Sequence, residues 1–257
     1  MRHAAALLIG VCVALANGSA AAPEAAVPVL VELFTAEGCS SCPPADTLLE
    51  KMIEAQPASG AAIVGLGEHV DYWDRLGWKD RFSSAAFTAR QQRYAARAKS
   101  DDVYTPQMVV DGQEAFVGND VNALRRAVER AIAAPHGAVR LALDGPEDNV
   151  VKASVTISSL PALSPGDRAD IMVAVTEDHL QTAVKNGENK GRTLTHAAVV
   201  RELRTVGDAS SPAAPAAANI KIAPDWVRAH LKVVAFVQER TSRRVLGTAW
   251  TALPLRP

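Results

Sequence analysis

Cysteine is nearly absent from this chain: 257 residues hold three, Cys12, Cys39 and Cys42. That excludes a small scaffold stapled by many disulfides. It also removes structural zinc, because only one Cys-x-x-Cys pair exists and His69, His136, His179, His196 and His230 lack the paired spacing of zinc motifs. An excess of one charge is missing too, with 27 Lys and Arg against 28 Asp and Glu and a net charge of -1. Without a cationic surplus to neutralise phosphates, nucleic acid is excluded as an expected partner. Aromatic residues are scarce, at 5%. No long apolar run follows the first sixteen residues.

The one apolar run present, Ala4 to Ala16, follows Arg2 and His3 and gives way to small residues at Gly18 to Ala22. It is too short for a membrane-spanning helix, which needs about 20 residues, and reads as a signal peptide over 1–22. Its removal takes Cys12 away and leaves Cys39 and Cys42 in an exported chain, periplasmic or secreted, with no membrane span after cleavage. In such a compartment a cysteine pair can stay oxidised and can cycle. With 48% hydrophobic residues the mature chain has enough apolar content for real cores, and its length is near the point where one domain becomes two.

Val27 to Phe34 is a mostly apolar, β-branched run with Glu32 as its one charge, the pattern of a strand buried on both faces. Ala45, Leu48, Leu49, Met52 and Ile53 recur at helical spacing and predict a helix ending near Ala55. A second buried strand is expected at Ala61 to Gly67, and a helix from Ala85 to Lys99. Gln107–Val110, the turn Asp111-Gly112 and Glu114–Val117 predict a hairpin. Asn119 or Asp120 then caps a helix reaching Ala133.

The stretch CSSCPP, 39–44, stands at the first strand-to-helix junction. A thiolate at a helix N-terminus faces unsatisfied N–H groups and the positive end of the helix dipole, which lower its pKa. A two-residue spacer lets the second sulfur reach back and resolve a mixed disulfide. Cys39 is assigned to attack and Cys42 to resolution. Pro43 and Pro44 fit a first helical turn, and a helix starting at Pro43 puts Cys42 at the cap. Two other readings stay open: a structural disulfide, although so tight a loop removes little unfolded-state entropy, and a soft Cu(I) site built from both thiolates and a histidine.

The order strand, helix, strand, helix, hairpin, helix, together with VELFTAEGCSSCPPAD and YTPQMVVDG, resembles the thioredoxin arrangement over residues 27 to 134. More closely, the chain resembles the secreted DUF1223 family, through FTAEGCSSCPPAD, HVDYWDRLGWKD, YTPQMVVDG and the GEN and GRTLTH segments. The family name carries no assigned activity. The thioredoxin resemblance implies that Thr105 docks substrate backbone, that Pro106 is cis, and that Glu32 is a proton-transfer group. Glu37 reads as a solvated loop charge.

The segment HVDYWDRLGWKDRF, 69–82, holds Tyr72, Trp73, Trp78 and Phe82. It leaves the carboxyl end of the second strand, where open α/β sheets bind ligands. Trp73 and Trp78 are therefore expected as a substrate-binding wall and His69 or Asp71 as proton-transfer groups. The competing reading packs these aromatics against the second half of the chain.

Beyond residue 135, short alternating runs at Val139–Leu143, Val151–Ile157, Ile171–Val175, Val199–Val206, Leu231–Gln238 and Val245–Trp250 predict an antiparallel β-sandwich-like domain. Residues 210–219 read as a low-complexity loop. KNGENKGRTLTH, 185–196, is either a solvated connection or a loop folded over the cysteines, where Lys185, Lys190, Arg192 and His196 could stabilise a thiolate.

The expected protein is α/β: signal peptide 1–22, thioredoxin-like domain 23–134, β-rich domain 135–257. Thiol–disulfide oxidoreductase chemistry at Cys39 and Cys42 acts on protein or small-molecule thiols and disulfides, with no cofactor and no metal. A non-catalytic module that binds Cu(I) or a protein partner is the alternative.

Overall fold

The structure, a computed structural model, describes residues 26–56, 60–147, 149–209 and 215–253; the expected signal peptide lies outside them. The first half runs β1 (Val27–Thr35), α1 (Pro43–Ala55), β2 (Ala61–His69), α2 (Ala85–Arg97), β3 (Gln107–Val110), β4 (Glu114–Val117) and α3 (Val121–Ala133). Asp120 caps α3, its carboxylate accepting from Ala123 N at 2.9 Å. The second half is β5 (Ala138–Glu147), β6 (Val150–Ser159), β7 (Ala169–Glu177), β8 (Leu180–Ala183), β9 (Thr193–His196), β10 (Val199–Asp208), β11 (Ala216–Lys221), β12 (Leu231–Glu239) and β13 (Val245–Ala252).

One eight-stranded sheet, ordered β13-β12-β7-β10-β2-β1-β3-β4, spans both halves. β1 is central and buried on both faces. Val29, Val31 and Leu33 pack with α1 and α3, while Leu30, Glu32 and Phe34 point to the other face. The expected β-rich half is antiparallel, but β7, β10, β12 and β13 extend the first half's sheet instead of forming a sheet of their own. β11-β6-β5 makes a second sheet. Its inward residues Val151, Ala153, Val155 and Ile220 meet Val173, Val175, Val233 and Ala235 in a common core, which gives the sandwich-like layer. The halves join where β10 runs beside β2, with Gly67 N donating to Ala198 O at 2.7 Å. A Cβ on Gly67 would lie 3.1 Å from Ala197 O, so the bare backbone permits this approach. Residues 216–219, expected in a low-complexity loop, lie in β11, and 210–214 fall outside the described residues.

On the far side of β1 a buried polar network ties α2 to the sheet. Arg90 Nε donates to Glu32 Oε1 at 2.5 Å and lies 3.3 Å from Glu68 Oε1. Tyr94 donates its hydroxyl proton to Glu32 and accepts from Arg90 Nη2 at 3.1 Å and from Gln238 Nε2 at 2.8 Å. Burial pushes Glu32 up, but Arg90 outweighs it and holds the carboxyl below its ordinary value; burial carries Glu68 well above its own. One arginine thus lies between two buried acidic side chains whose pKa values are pushed in opposite directions. Arg90→Met strips Glu32 of its guanidinium partner in the interior and leaves it the Tyr94 hydroxyl, and urea denaturation is expected to show a loss of about 3–5 kcal/mol. The double variant Arg90→Met, Glu32→Gln should recover part of it.

Candidate functional site

Thr35 ends β1 directly opposite His69, which ends β2, so segments 36–42 and 70–82 leave the sheet at one edge. Cys39 N donates to Ala36 O at 3.1 Å and Cys42 N to Cys39 O at 3.2 Å, closing a tight turn. Cys42 is the N-cap of α1, and its carbonyl accepts from Ala45 N and Asp46 N at 2.8 and 3.1 Å. The two prolines fill helix positions whose missing N–H groups would have had no intrahelical partner. Cys39 and Cys42 are joined as a disulfide, with Cα atoms 5.4 Å apart. Both residues are 0% exposed, although Ser40 and Ser41 between them face solvent. The sulfurs sit in an apolar cluster with Phe34, Val70, Tyr94 and Val109, flanked by Tyr72 and Trp73. Ser41 Oγ lies 3.4 Å from Cys39 Sγ, and the hydroxyl is the donor because an oxidised sulfur carries no proton.

Two residues far from this turn hold its backbone. Asp80 Oδ2 accepts from Glu37 N at 2.8 Å and is 2.6 Å from His69 Nδ1, while Oδ1 accepts from Phe82 N at 2.8 Å. Asn189 Nδ2 donates to Glu37 O and to Cys39 O, both at 2.9 Å, and Asn189 is 0% exposed. Beside it the Glu188 carboxylate accepts from Ser40 N at 3.0 Å and Ser40 Oγ at 2.7 Å. Segment 185–196 therefore does fold over the cysteine turn. What it offers there is an amide and a carboxylate; Lys185, Lys190 and Arg192 are exposed, and Arg192 reaches only Asn189 Oδ1, at 2.8 Å.

Glu37, expected as a solvated charge, is 0% exposed. Trp78 Nε1 donates to its Oε2 at 2.7 Å, and His196 Nε2 lies 3.5 Å from its Oε1, too far for a directed hydrogen bond. The His69 and His196 rings meet edge to face at 4.9 Å. Thr35 Oγ1 donates to Asp46 at 3.2 Å, and both histidines act electrostatically on that carboxyl. Burial pushes Asp46 up. Burial also opposes charging His69, but Asp80 prevails and raises it, while the same pairing holds Asp80 below its ordinary value.

Of the other residues singled out in the sequence, Thr105-Pro106 is a cis peptide bond. Trp73 Nε1 donates to Thr105 Oγ1 at 2.8 Å, and its Cβ would be 3.5 Å from a Cβ on Gly38, so this indole bridges the cysteine turn and the cis segment. Trp78 lies between Glu37 and Gly187 and thereby touches the second half, as the competing reading of the aromatics had it. Asp71 is turned to α2, accepting from Thr88 Oγ1 at 2.6 Å, and Glu32 is engaged by Arg90 and Tyr94. Asp46, Asp80, Glu188 and Asn189 were not singled out. Asp46, four residues after the cap cysteine, carries a usable signal in that spacing; Asn189, 150 residues away from Cys39, carries none. Among the described residues no group of three or more His, Cys, Asp or Glu is arranged to hold a metal ion.

The model of the family described as "Protein of unknown function (DUF1223)" matches residues 30–238, and the chain belongs to that family. Among curated proteins none matches. A structural-genomics protein from Agrobacterium tumefaciens is similar at 28% identity and TM-score 0.62, covering 90% of this chain and 95% of its own. HBP35 of Porphyromonas gingivalis, at 16% identity and TM-score 0.62, covers 90% of this chain and 76% of its own and is alike in fold alone.

The His69–Asp80 pair has a pH signature. The raised His69 contributes stability that is complete below its unfolded value of 6.5 and lost as pH rises through the folded one; the lowered Asp80 contributes above 3.8 and loses it as pH falls. His69→Asn should therefore cost most between those values, about 1.5–3 kcal/mol for a charge-assisted bond, and less at pH 9. Chemical denaturation across that range measures it, and a cost independent of pH would contradict the pairing.

Proposed function

We propose that this member of the DUF1223 family is an exported thiol–disulfide exchange protein whose redox pair is Cys39 and Cys42. The observation that carries the reading is the pair closed as a disulfide at the N-cap of α1, beside a buried His69–Asp80 pair. The order β2-β1-β3-β4, α1 and α3 on one face with α2 on the other, and the cis bond before β3 support a thioredoxin-like first half. Export rests on the apolar N-terminal segment.

In this reading the Cys39 thiolate attacks a substrate disulfide, forming a mixed disulfide and expelling one substrate thiolate. Cys42 then attacks Cys39 Sγ, which releases the second substrate thiolate and closes the Cys39–Cys42 bond; two electrons pass to the substrate. The reverse sequence oxidises a dithiol. The α1 terminus favours the thiolate, and His69 and Asp46 are the buried acid–base groups on that side of the turn. Thr105, held by Trp73, is the backbone against which an extended substrate lies.

Full burial of both sulfurs favours a second reading, a non-catalytic scaffold that binds Cu(I) or a protein partner. Alkylation of the reduced protein as a function of pH separates the two. Exchange chemistry predicts one thiol titrating below the free value of about 8.5, and Cys39→Ser abolishing turnover of a model disulfide. Two thiols at about 8.5 with no turnover, and stoichiometric copper uptake, would favour the scaffold.

A further inference from the structure

The cover over the cysteine turn is built as a separate piece. Among the described residues β8 and β9 pair only with each other, Leu180 opposite His196 through Ala183 opposite Thr193, and belong to neither larger sheet. Each end of this hairpin carries a non-glycine residue in the left-handed region: His179, φ 59°, just before β8, and Ala198, φ 51°, just after β9. L-residues adopt that conformation rarely, and such positions concentrate where a segment must change direction sharply. Between them the base is pinned, Ala198 N donating to Asp178 Oδ1 at 2.8 Å and Lys232 Nζ lying 2.7 Å from Asp178 Oδ2. The tip, 185–191, is where the hairpin meets the cysteine turn, through Glu188 and Asn189. A pinned base, two sharply turned ends and a polar tip mark the hairpin as a flap, seated on α1 along β9 with Val184 and Leu194 buried beneath it.

The latch contact also has a chemical form. Asn189 places one amide nitrogen against two backbone carbonyls, Glu37 O and Cys39 O, at 2.9 Å each. Once the flap lifts, both carbonyls lose that donor at the entrance to the disulfide, and whatever covers them again in place of water must supply another. The group that matches them is another amide N–H. We propose that hairpin 180–196 is a flap that closes the Cys39–Cys42 site, with the Asn189 amide standing in for the backbone N–H groups of a peptide thiol or disulfide that takes its place when the flap opens. The substrate half of this inference rests on the exchange chemistry proposed above; the flap does not.

The test follows reduction of the oxidised full-length protein by two probes, glutathione, which carries amide N–H groups, and 2-mercaptoethanol, which carries none. In either case one thiolate attacks a protein sulfur and breaks the disulfide, and a second thiol resolves the mixed disulfide, so that two probe thiols are oxidised to their disulfide and the pair gains two electrons and two protons. Asn189→Ala frees the slot and loosens the flap. It should speed reduction by both probes about tenfold or more, and by a larger factor for glutathione. Hydrogen exchange should rise across 180–196 and stay unchanged in β1. Glu188→Gln, which keeps Asn189, should give a smaller acceleration, any preference for anionic glutathione vanishing in high salt because it comes from the lost carboxylate charge alone, and it stands in should Asn189→Ala fail to fold. Rates unchanged in both variants would overturn the flap. Equal acceleration for the two probes in Asn189→Ala would overturn the amide slot. Faster exchange across 180–196 with a disulfide that neither thiol reduces would keep the flap and sink the exchange reading.

Discussion

Glu37, Gly38, Cys39 and Cys42 of the cysteine turn are buried, and their backbone polar groups must be paired without water. That requirement organises the site. A tight turn cannot bond all of its own N–H and C=O groups, so others come from elsewhere in the chain: Asp80 takes the Glu37 N–H, and Asn189 gives to the carbonyls of Glu37 and Cys39. Each partner brings its segment with it. Asp80 fixes the aromatic loop after β2, which seats Trp78 on Glu37, and Asn189 fixes the β8–β9 hairpin, which buries His196 beside His69. Three stretches far apart in sequence meet because one short turn demands partners.

The strand alternation of β1 separates the charges around this turn into two groups. Thr35 turns toward α1 and meets Asp46, whereas Glu32 and Phe34 turn toward α2. The α2 side is a closed ion-pair network built on Arg90; the α1 side is a histidine–carboxylate cluster in which His196 makes no directed hydrogen bond among the described residues. Tyr94 is the connection, bonded to Glu32 and packed in the cluster that holds both cysteines. A neutral aromatic thus stands between the fixed charges of the network and the sulfurs. Asp46, His69 and Asp80 thus lie on the α1 side, and Arg90, Glu32 and Glu68 on the other.

Where the chemistry of a segment is local, the residues announced it. Alternation and helical spacing located β1, α1, β2, α2, the β3–β4 hairpin and α3, since each follows from its own apolar pattern and punctuation, and the two prolines marked the start of α1. Cys39 and Cys42 stood out for the same reason. Three strands escaped notice: β8 and β9 are four residues each, and β11 draws on an alanine-rich stretch whose β character comes from pairing with β6, not from its residues. The merging of the two halves into one sheet was not legible either, because it runs through the close approach of the 197–198 segment to Gly65 and Gly67, and glycines in a strand do not say what comes near them. For Glu37 a loop position suggests solvent, and only the folded approach of Trp78 and of the flap removes the water. Asn189 looked like any polar residue in a glycine-rich connection, its role arising entirely from a partner 150 residues distant.

The central claim is that Cys39 and Cys42 cycle between dithiol and disulfide under conditions a cell can supply. Equilibration of the full-length protein with glutathione buffers of graded composition, read by quantitative alkylation, gives the reduction potential of the pair. A value within the range of known exchange proteins, from about -270 to about -120 mV, is the predicted result. A potential below about -300 mV, the range typical of permanent structural disulfides, would contradict the account.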